Sequence, residues 1–428
     1  MFPTNIHLQK QLEFDPRSSK TASHLCFAVS SLSPSTTPQI PVSDQHPKDG
    51  RRSANYQPTT WSYDFLQSLK NEHNDTIYRD RAAKLEQELR FALADEDAES
   101  VNLLELIDDI QRLGLAHRFE MDISKALEKI AILKDYGVAA AENSLHAAAL
   151  RFRLVRQHGY DVSQDVFNGF KDQDGYFREN LCKDVKGMLS LYEASHLAFE
   201  GEDLLDEALS FTRMHLKNLH GNQDKDLSEQ VSHALELPQH RRALKMEARW
   251  YIEAYSKKAS ANLQLLELAK LDFNMVQSKL QEDLQDMSSC NFTDKISLPT
   301  LIRWWKDMGL VSKLEFARDR LTECFIWALG MVPGPQFSKS RRGLTKVASL
   351  ITTIDDVYDV YGTLEELELF TDAVKRWDVR AVKNLPDYMK LCYLALYNSV
   401  NEMAYDSLRD DGENILPYLS KAVWICKL

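Results

Sequence analysis

Three aspartates in the run Ile354-Asp355-Asp356-Val357-Tyr358-Asp359 have the spacing in this chain that points most directly to chemistry. On a helix, Asp355 and Asp359 stand one turn apart, with Asp356 close by. Like charges held that near repel each other unless a cation lies between them. Oxygen donors of this kind suit Mg²⁺, which takes a few carboxylates and completes its shell with water and substrate phosphates. The flanking Val347, Leu350, Ile351, Ile354, Val357 and Tyr358 leave little room for a purely solvated acidic face. The expectation is a metal site of Asp355, Asp356 and Asp359 that grips a phosphorylated substrate.

Upstream, Phe316-Ala317-Arg318-Asp319-Arg320 supplies two guanidinium groups. Their donor forks match phosphate oxygens; surface pairing of these arginines with Asp319 or Glu323 is the competing reading. Trp327 follows, and on an unbroken helix it shares a side with Arg320. An aromatic face in an apolar cavity stabilises a carbocation by cation–π attraction, and core packing is the equal alternative. Trp304 and Trp305 read as packing residues, and Arg51-Arg52 with Trp61 as a basic patch and a core anchor. Asp108-Asp109 lacks a third carboxylate at the right offset and reads as a solvated helix face. Asp172-Gln173-Asp174-Gly175-Tyr176 has no closing Glu for a calcium loop, which leaves an inter-helix turn.

The elements that must position these groups read as helices. A chain of 428 residues is long for one domain and comfortable for two. Hydrophobic residues make up 44% and charged residues 27%, an ordinary globular mix. The net charge of −12 argues against a nucleic-acid groove. It leaves an anionic substrate open, because a bound metal inverts the local field. Six cysteines without CxxC spacing read as reduced thiols, and no stretch is long enough to span a membrane. Residues 18–41 are rich in Ser, Thr and Pro and poor in acids, so residues 1–50 read as a transit peptide or a disordered tail.

From Trp61 onward, apolar residues recur at helical spacing over 79–95, 101–113, 144–157, 184–199, 204–219 and 227–235. Gly114, Gly159, Gly175, Gly201 and Gly221 stand between them as stops. A boundary is expected near Leu237-Pro238-Gln239-His240, dividing 51–240 from 241–428. Beyond it the pattern gives bundle helices over 244–255, 262–283, 314–329, 341–361, 364–374 and 386–408. The fold class is all-α.

Taken together, Arg51-Arg52 with Trp61, Arg318-Asp319-Arg320, Ile354 to Gly362 and the string from Leu367 to Asp378 resemble the plant class I terpene synthases, over about residues 51–422. That resemblance implies an N-terminal α-barrel domain followed by a C-terminal α-bundle catalytic domain. It implies Mg²⁺, or Mn²⁺, on Asp355, Asp356 and Asp359, and Arg320 with Arg318 closing over a diphosphate. It places Arg52 in the tandem-arginine motif of plastid monoterpene synthases. The implied reaction is ionisation of an allylic prenyl diphosphate in an apolar pocket that includes Trp327 and Leu350. Isoprene-forming relatives carry Phe where Leu350 stands, so the resemblance favours geranyl over dimethylallyl diphosphate. The implied partner is this small molecule acting on a monomer, without nucleic acid or membrane span, in the plastid or else the cytoplasm. A chain-elongating prenyltransferase is disfavoured because no second Asp-rich run is present.

Two departures from that pattern bear on activity. The family's second metal motif, an Asn/Asp–Ser/Thr–Glu triad, has no counterpart before Leu428, and residues 423–428 leave the family pattern. Residues 289–302 intrude between pieces that relatives join directly, with Pro299 breaking the helical period. Both raise the expectation of an inactive or C-terminally shortened form.

Overall fold

The computed structural model describes residues 51–69, 76–94, 101–132, 144–219, 225–288, 304–305 and 308–425. The tail at 1–50, the intruding segment at 289–302, Gly221 and residues 426–428 lie outside these. The described elements are helical apart from one antiparallel bridge between Lys171 and Phe177. In chain order the helices are α1 (Tyr63–Ser68), α2 (Thr76–Leu93), α3 (Val101–Arg112), α4 (Glu120–Ile132), α5 (Leu145–Gln157), α6 (Val185–Ser195), α7 (Asp203–Lys217), α8 (Lys225–Glu236) and α9 (Leu244–Tyr255). They continue as α10 (Leu263–Ser288), α11 (Leu310–Lys313), α12 (Leu321–Met331), α13 (Ser338–Asp356), α14 (Leu364–Arg376), α15 (Asp387–Asp411) and α16 (Leu416–Ile425).

Tertiary contacts divide the chain into two units, one of residues 72–278 and one of 1–71 with 279–428. The division is not near Pro238, where it was expected. That stretch is only a short 3₁₀ turn, Gln239–Arg241. Helices beyond it are tied back to the first unit by polar contacts: His233 hydrogen-bonds Glu247 at 2.7 Å, and Arg118 pairs with the buried Asp272 at 2.6 Å. The stretch at 51–69 belongs instead with the second unit.

In the first unit, α5, α6 and α7 pack in sequence around Phe152, Phe167, Met188, Leu191 and Leu205. Side-chain caps start two of these helices: Ser144 accepts from the Ala147 N–H and Asp184 from the Gly187 N–H. Gly114 ends the segment after α3 at φ 79°, where a Cβ would lie 2.9 Å from Ala248 Cβ. Helix α3 buries Leu103, Leu104, Ile107 and Ile110 as its periodicity requires. Asp108 and Asp109 do not form the solvated face expected of them. Arg153 Nη2 donates to Asp108 at 2.7 Å, and Tyr251 Oη donates to Asp109 at 2.6 Å. Both side chains are mostly covered, and a carboxylate with little access to water is stable only when paired. Asp172 does form the expected turn, accepting the Asp174 and Tyr176 N–H groups at 3.0 Å each.

In the second unit, α12 packs on α13, α13 on α15 and α15 on α16, around Trp305, Phe325, Leu350, Ile354, Phe370, Met389 and Tyr393. A capping box starts α14, with Thr363 and Glu366 satisfying each other's backbone N–H groups. Arg341, fully buried, is held by Asp283 at 2.9 Å and by the carbonyls of Val332 and Gly334.

Candidate metal and diphosphate site

Helix α13 carries a buried stripe of small polar residues: Thr345, Ser349 and Thr353, four positions apart. Each hydroxyl donates to the carbonyl one turn back, at 2.8, 2.8 and 3.1 Å, so the stripe is buried without orphaned donors. Asp356 continues this stripe and is fully buried, whereas Asp355 and Asp359 are exposed. Past Asp356 the helix widens into a π turn, Val357–Tyr361. The Gly362 N–H closes it on the Val357 carbonyl at 2.7 Å. A Cβ on Gly362 would meet Leu367 at 2.8 Å and the Val357 oxygen at 2.9 Å, so close approach requires glycine here.

Asp356 is thus the exception to the expected trio. Its carboxylate accepts the Arg318 backbone N–H at 2.7 Å, Arg318 Nε at 2.9 and 3.1 Å, and Arg318 Nη2 at 2.8 Å. Both Asp356 oxygens thus accept from Arg318 in this structure. Arg318 is not an open phosphate fork, since its Nε–Nη2 edge faces Asp356. The pair does something the sequence did not reveal: it ties the arginine turn directly to the aspartate helix.

The same pairing explains why the helix expected at 314–329 begins later, at Leu321. The Arg318 N–H is spent on Asp356, and Arg320 at the N-cap lies off the helical conformation, with φ −134°. Arg320 Nη1 and Nη2 donate to the carbonyls of Asp319 at 2.8 Å and Gln57 at 2.5 Å. Trp327 therefore does not share a helix side with Arg320. It is 74% exposed, beside Ile326 and Met331, while Phe325 and Ala328 face the core. Leu350, at 1% exposure, packs within the core cluster.

Residues 51–61 lie along this side of the unit. Arg51 pairs with Glu366 and stands 4.9 Å over the Tyr361 ring; Tyr361 in turn stacks on Phe316 at 3.8 Å. The Tyr56 ring lies 4.8 Å from the Arg318 guanidinium, and Thr59 donates to Glu323 at 2.8 Å. Arg52 is exposed, and Trp61 packs against the core as an anchor should. Glu366, Tyr388 and Tyr56 escaped the sequence reading. The capping-box spacing of Thr363 and Glu366 was the one available signal.

Among the described residues, no three His, Cys, Asp or Glu side chains come together as a metal cage. Two exposed carboxylates, Asp355 and Asp359, share a face. Partial burial and the neighbouring Asp359 charge push the Asp355 carboxyl above its ordinary range. A pair in that state fits Mg²⁺, which is held by one or two carboxylates and completed by water and phosphate oxygens.

The description "terpene synthase, N-terminal domain" matches residues 60–235, and "terpene synthase family, metal binding domain" matches residues 306–427. The solved limonene synthase with 2-fluorolinalyl diphosphate is 40% identical, with a TM-score of 0.79, over 87% of this chain and 67% of that one. The chain belongs to the class I terpene synthase family. It is also similar to the chloroplastic isoprene synthase of Populus canescens, 56% identical over 375 residues, 87% of this chain and 60% of that protein. A structure of isoprene synthase from grey poplar leaves (Populus x canescens), in complex with three Mg²⁺ ions and dimethylallyl-S-thiolodiphosphate, has a TM-score of 0.73 at 56% identity. It covers 86% of this chain and 66% of that one. This terpene synthase chain thus spans about 60% of the length of the curated relatives it matches. The all-α, two-domain reading holds, and no helix among the described residues is long and apolar enough to cross a membrane.

Proposed function

We propose that this chain ionises an allylic prenyl diphosphate with Mg²⁺, through the unit of residues 279–428. The observation carrying this reading is the Arg318–Asp356 pair, which joins the arginine turn to the helix that displays Asp355 and Asp359. Asp355 and Asp359 are the groups to hold the ion. When bound, it neutralises charge developing on the departing diphosphate. Arg320, at the N-cap of α12, would meet the diphosphate by releasing the Asp319 and Gln57 carbonyls it now donates to. Asp356 holds the geometry and leaves the metal to its neighbours. The unit of residues 72–278 we read as the family's N-terminal α-barrel domain.

For the substrate, we favour dimethylallyl diphosphate over geranyl diphosphate. The Leu350 argument for a longer chain is weakened by that residue's place in the core. Isoprene synthases at 56% identity support the shorter substrate. Relatives named as chloroplastic support a plastid address. The test is headspace gas chromatography with Mg²⁺ and each diphosphate in turn. Isoprene from dimethylallyl diphosphate, lost in Asp355→Ala, is the expected result. A monoterpene from geranyl diphosphate alone would reverse the substrate choice.

A second reading is a family member that binds Mg²⁺–diphosphate without turnover. Calorimetric uptake of a prenyl thiolodiphosphate with no volatile product would select it. No uptake and no product would reject both.

A further inference from the structure

We infer that Trp305 and Asp319 are positioning residues for the arginine turn, an inference that rests on the function proposed above. Asp319 stands between Arg318 and Arg320, and its side chain reaches the buried indole of Trp305. Its Oδ1 accepts the Trp305 Nε1–H at 3.1 Å. Trp305 is 1% exposed and belongs to the core cluster of this unit. The backbone carbonyl of Asp319 meanwhile accepts from Arg320 Nη1 at 2.8 Å. One residue thus ties the turn to the core through its side chain and orients the neighbouring guanidinium through its backbone.

The turn needs such a device because it precedes α12 and has no helical ladder of its own. Arg318 N–H is held by Asp356 on α13, and the next residue is held by Trp305. Two successive residues are fixed by two different parts of the core. A hydrogen bond to a carboxylate is stronger than one between neutral groups, and more so where water is excluded. Guanidinium donors that must meet phosphate oxygens lose their value when displaced by about 1 Å. Trp305 is suited to the role because its indole is a large apolar body carrying one donor and no acceptor.

The test uses the 428-residue chain with Trp305→Phe, Asp319→Ala, Asp319→Asn and the Trp305→Phe/Asp319→Ala double variant. Asp319 is only half-buried, so its replacement leaves no large cavity if Trp305→Phe fails to fold. Amide exchange across residues 314–324 in the absence of ligand reads the anchor directly. It should quicken in Trp305→Phe and Asp319→Ala and less so in Asp319→Asn, which keeps the acceptor without its charge. Affinity for inorganic diphosphate with Mg²⁺, by calorimetry, should fall about tenfold in either single variant, the loss of one hydrogen bond to a charged group. The double variant should lose no more than Asp319→Ala alone, because Trp305→Phe removes nothing further once the acceptor is gone.

Parental exchange in both single variants would overturn the anchor. Quickened exchange with unchanged affinity would overturn the positioning role, and multiplied losses in the double variant would overturn the shared bond. Failure of the functional reading looks different: the parent takes up no diphosphate, or Asp355→Ala binds it as well as the parent, whatever the exchange shows.

Discussion

Arg51 and Glu366, 315 residues apart in the chain, meet through two parallel hydrogen bonds, Nη1 to Oε2 at 2.7 Å and Nη2 to Oε1 at 2.8 Å. Tyr388 Oη donates to the same carboxylate at 2.8 Å, and the Thr363 N–H at 3.2 Å. The N-terminal stretch is thereby fastened to the start of α14, just past the turn that carries Asp359.

Arg51→Ala should lower the stability of this unit by about 1–2 kcal/mol, and Arg51→Lys should recover little, because an ammonium cannot engage both oxygens. Urea denaturation followed by circular dichroism measures both. The hydrogen bond from Arg51 is the leading cause holding the Glu366 carboxyl at about 2 instead of 4.5. Its folded value is depressed, so the pair's contribution is full above pH 4.5 and lost as pH falls towards 2. A melting curve for Arg51→Ala as acid-sensitive as the parent's over that window would contradict this.

Asp356 and Asp355 should respond oppositely to mutation. Asp356→Ala strips the partly buried Arg318 guanidinium of its partner and should cost about 2–4 kcal/mol. Asp355→Ala should leave folding within about 0.5 kcal/mol of the parent and remove Mg²⁺-dependent diphosphate uptake. Thermal melts and calorimetry on the two variants separate the roles; equal loss of stability in both would refute the division.

Glu193, on α6, is pushed up to about 7 by burial, outweighing the nearby charges of Arg153 and Arg112. A carboxyl that keeps its proton when folded costs stability as pH rises from 4.5 to about 7, because the unfolded chain ionises first. Glu193→Gln should therefore stabilise the first unit by about 1–2 kcal/mol at pH 8 and hardly at all at pH 4.5, discounted for its residual exposure. His196 runs the other way. Burial holds it down to about 4, so stability is lost as pH falls from 6.5 to about 4. Denaturation profiles against pH test both signs.

Trp327→Ala should change stability by less than about 0.5 kcal/mol, as befits an exposed side chain. Phe325→Ala, two residues earlier and 1% exposed, should cost about 3–5 kcal/mol. A large loss from Trp327→Ala would mean that the indole is covered in solution.

The helical character of the chain was legible because apolar spacing survives in nearly every element, as Leu103, Leu104, Ile107 and Ile110 on α3 show. The aspartate run was legible for the opposite reason, as charge where apolar residues were due. What the pattern hid was direction. Asp355 and Asp356 are neighbours in sequence, yet about 100° of helical rotation separates solvent from core. The clue was the four-residue rhythm of Thr345, Ser349 and Thr353, which marks the buried side and leads to Asp356. The pairing of Arg51 with Glu366 was beyond local pattern, since no periodicity spans 315 positions.

The widened turn at Val357–Tyr361 makes spacer length as consequential as residue identity. Taking out one residue there would let the coil tighten to regular winding. Every side chain beyond the deletion would swing by about 100°. A deletion of Tyr358, which lies between Asp356 and Asp359, would turn Asp359 by about 100° away from the face it shares with Asp355. A family member shortened at this point could keep all three aspartates and still have lost its grip on the ion.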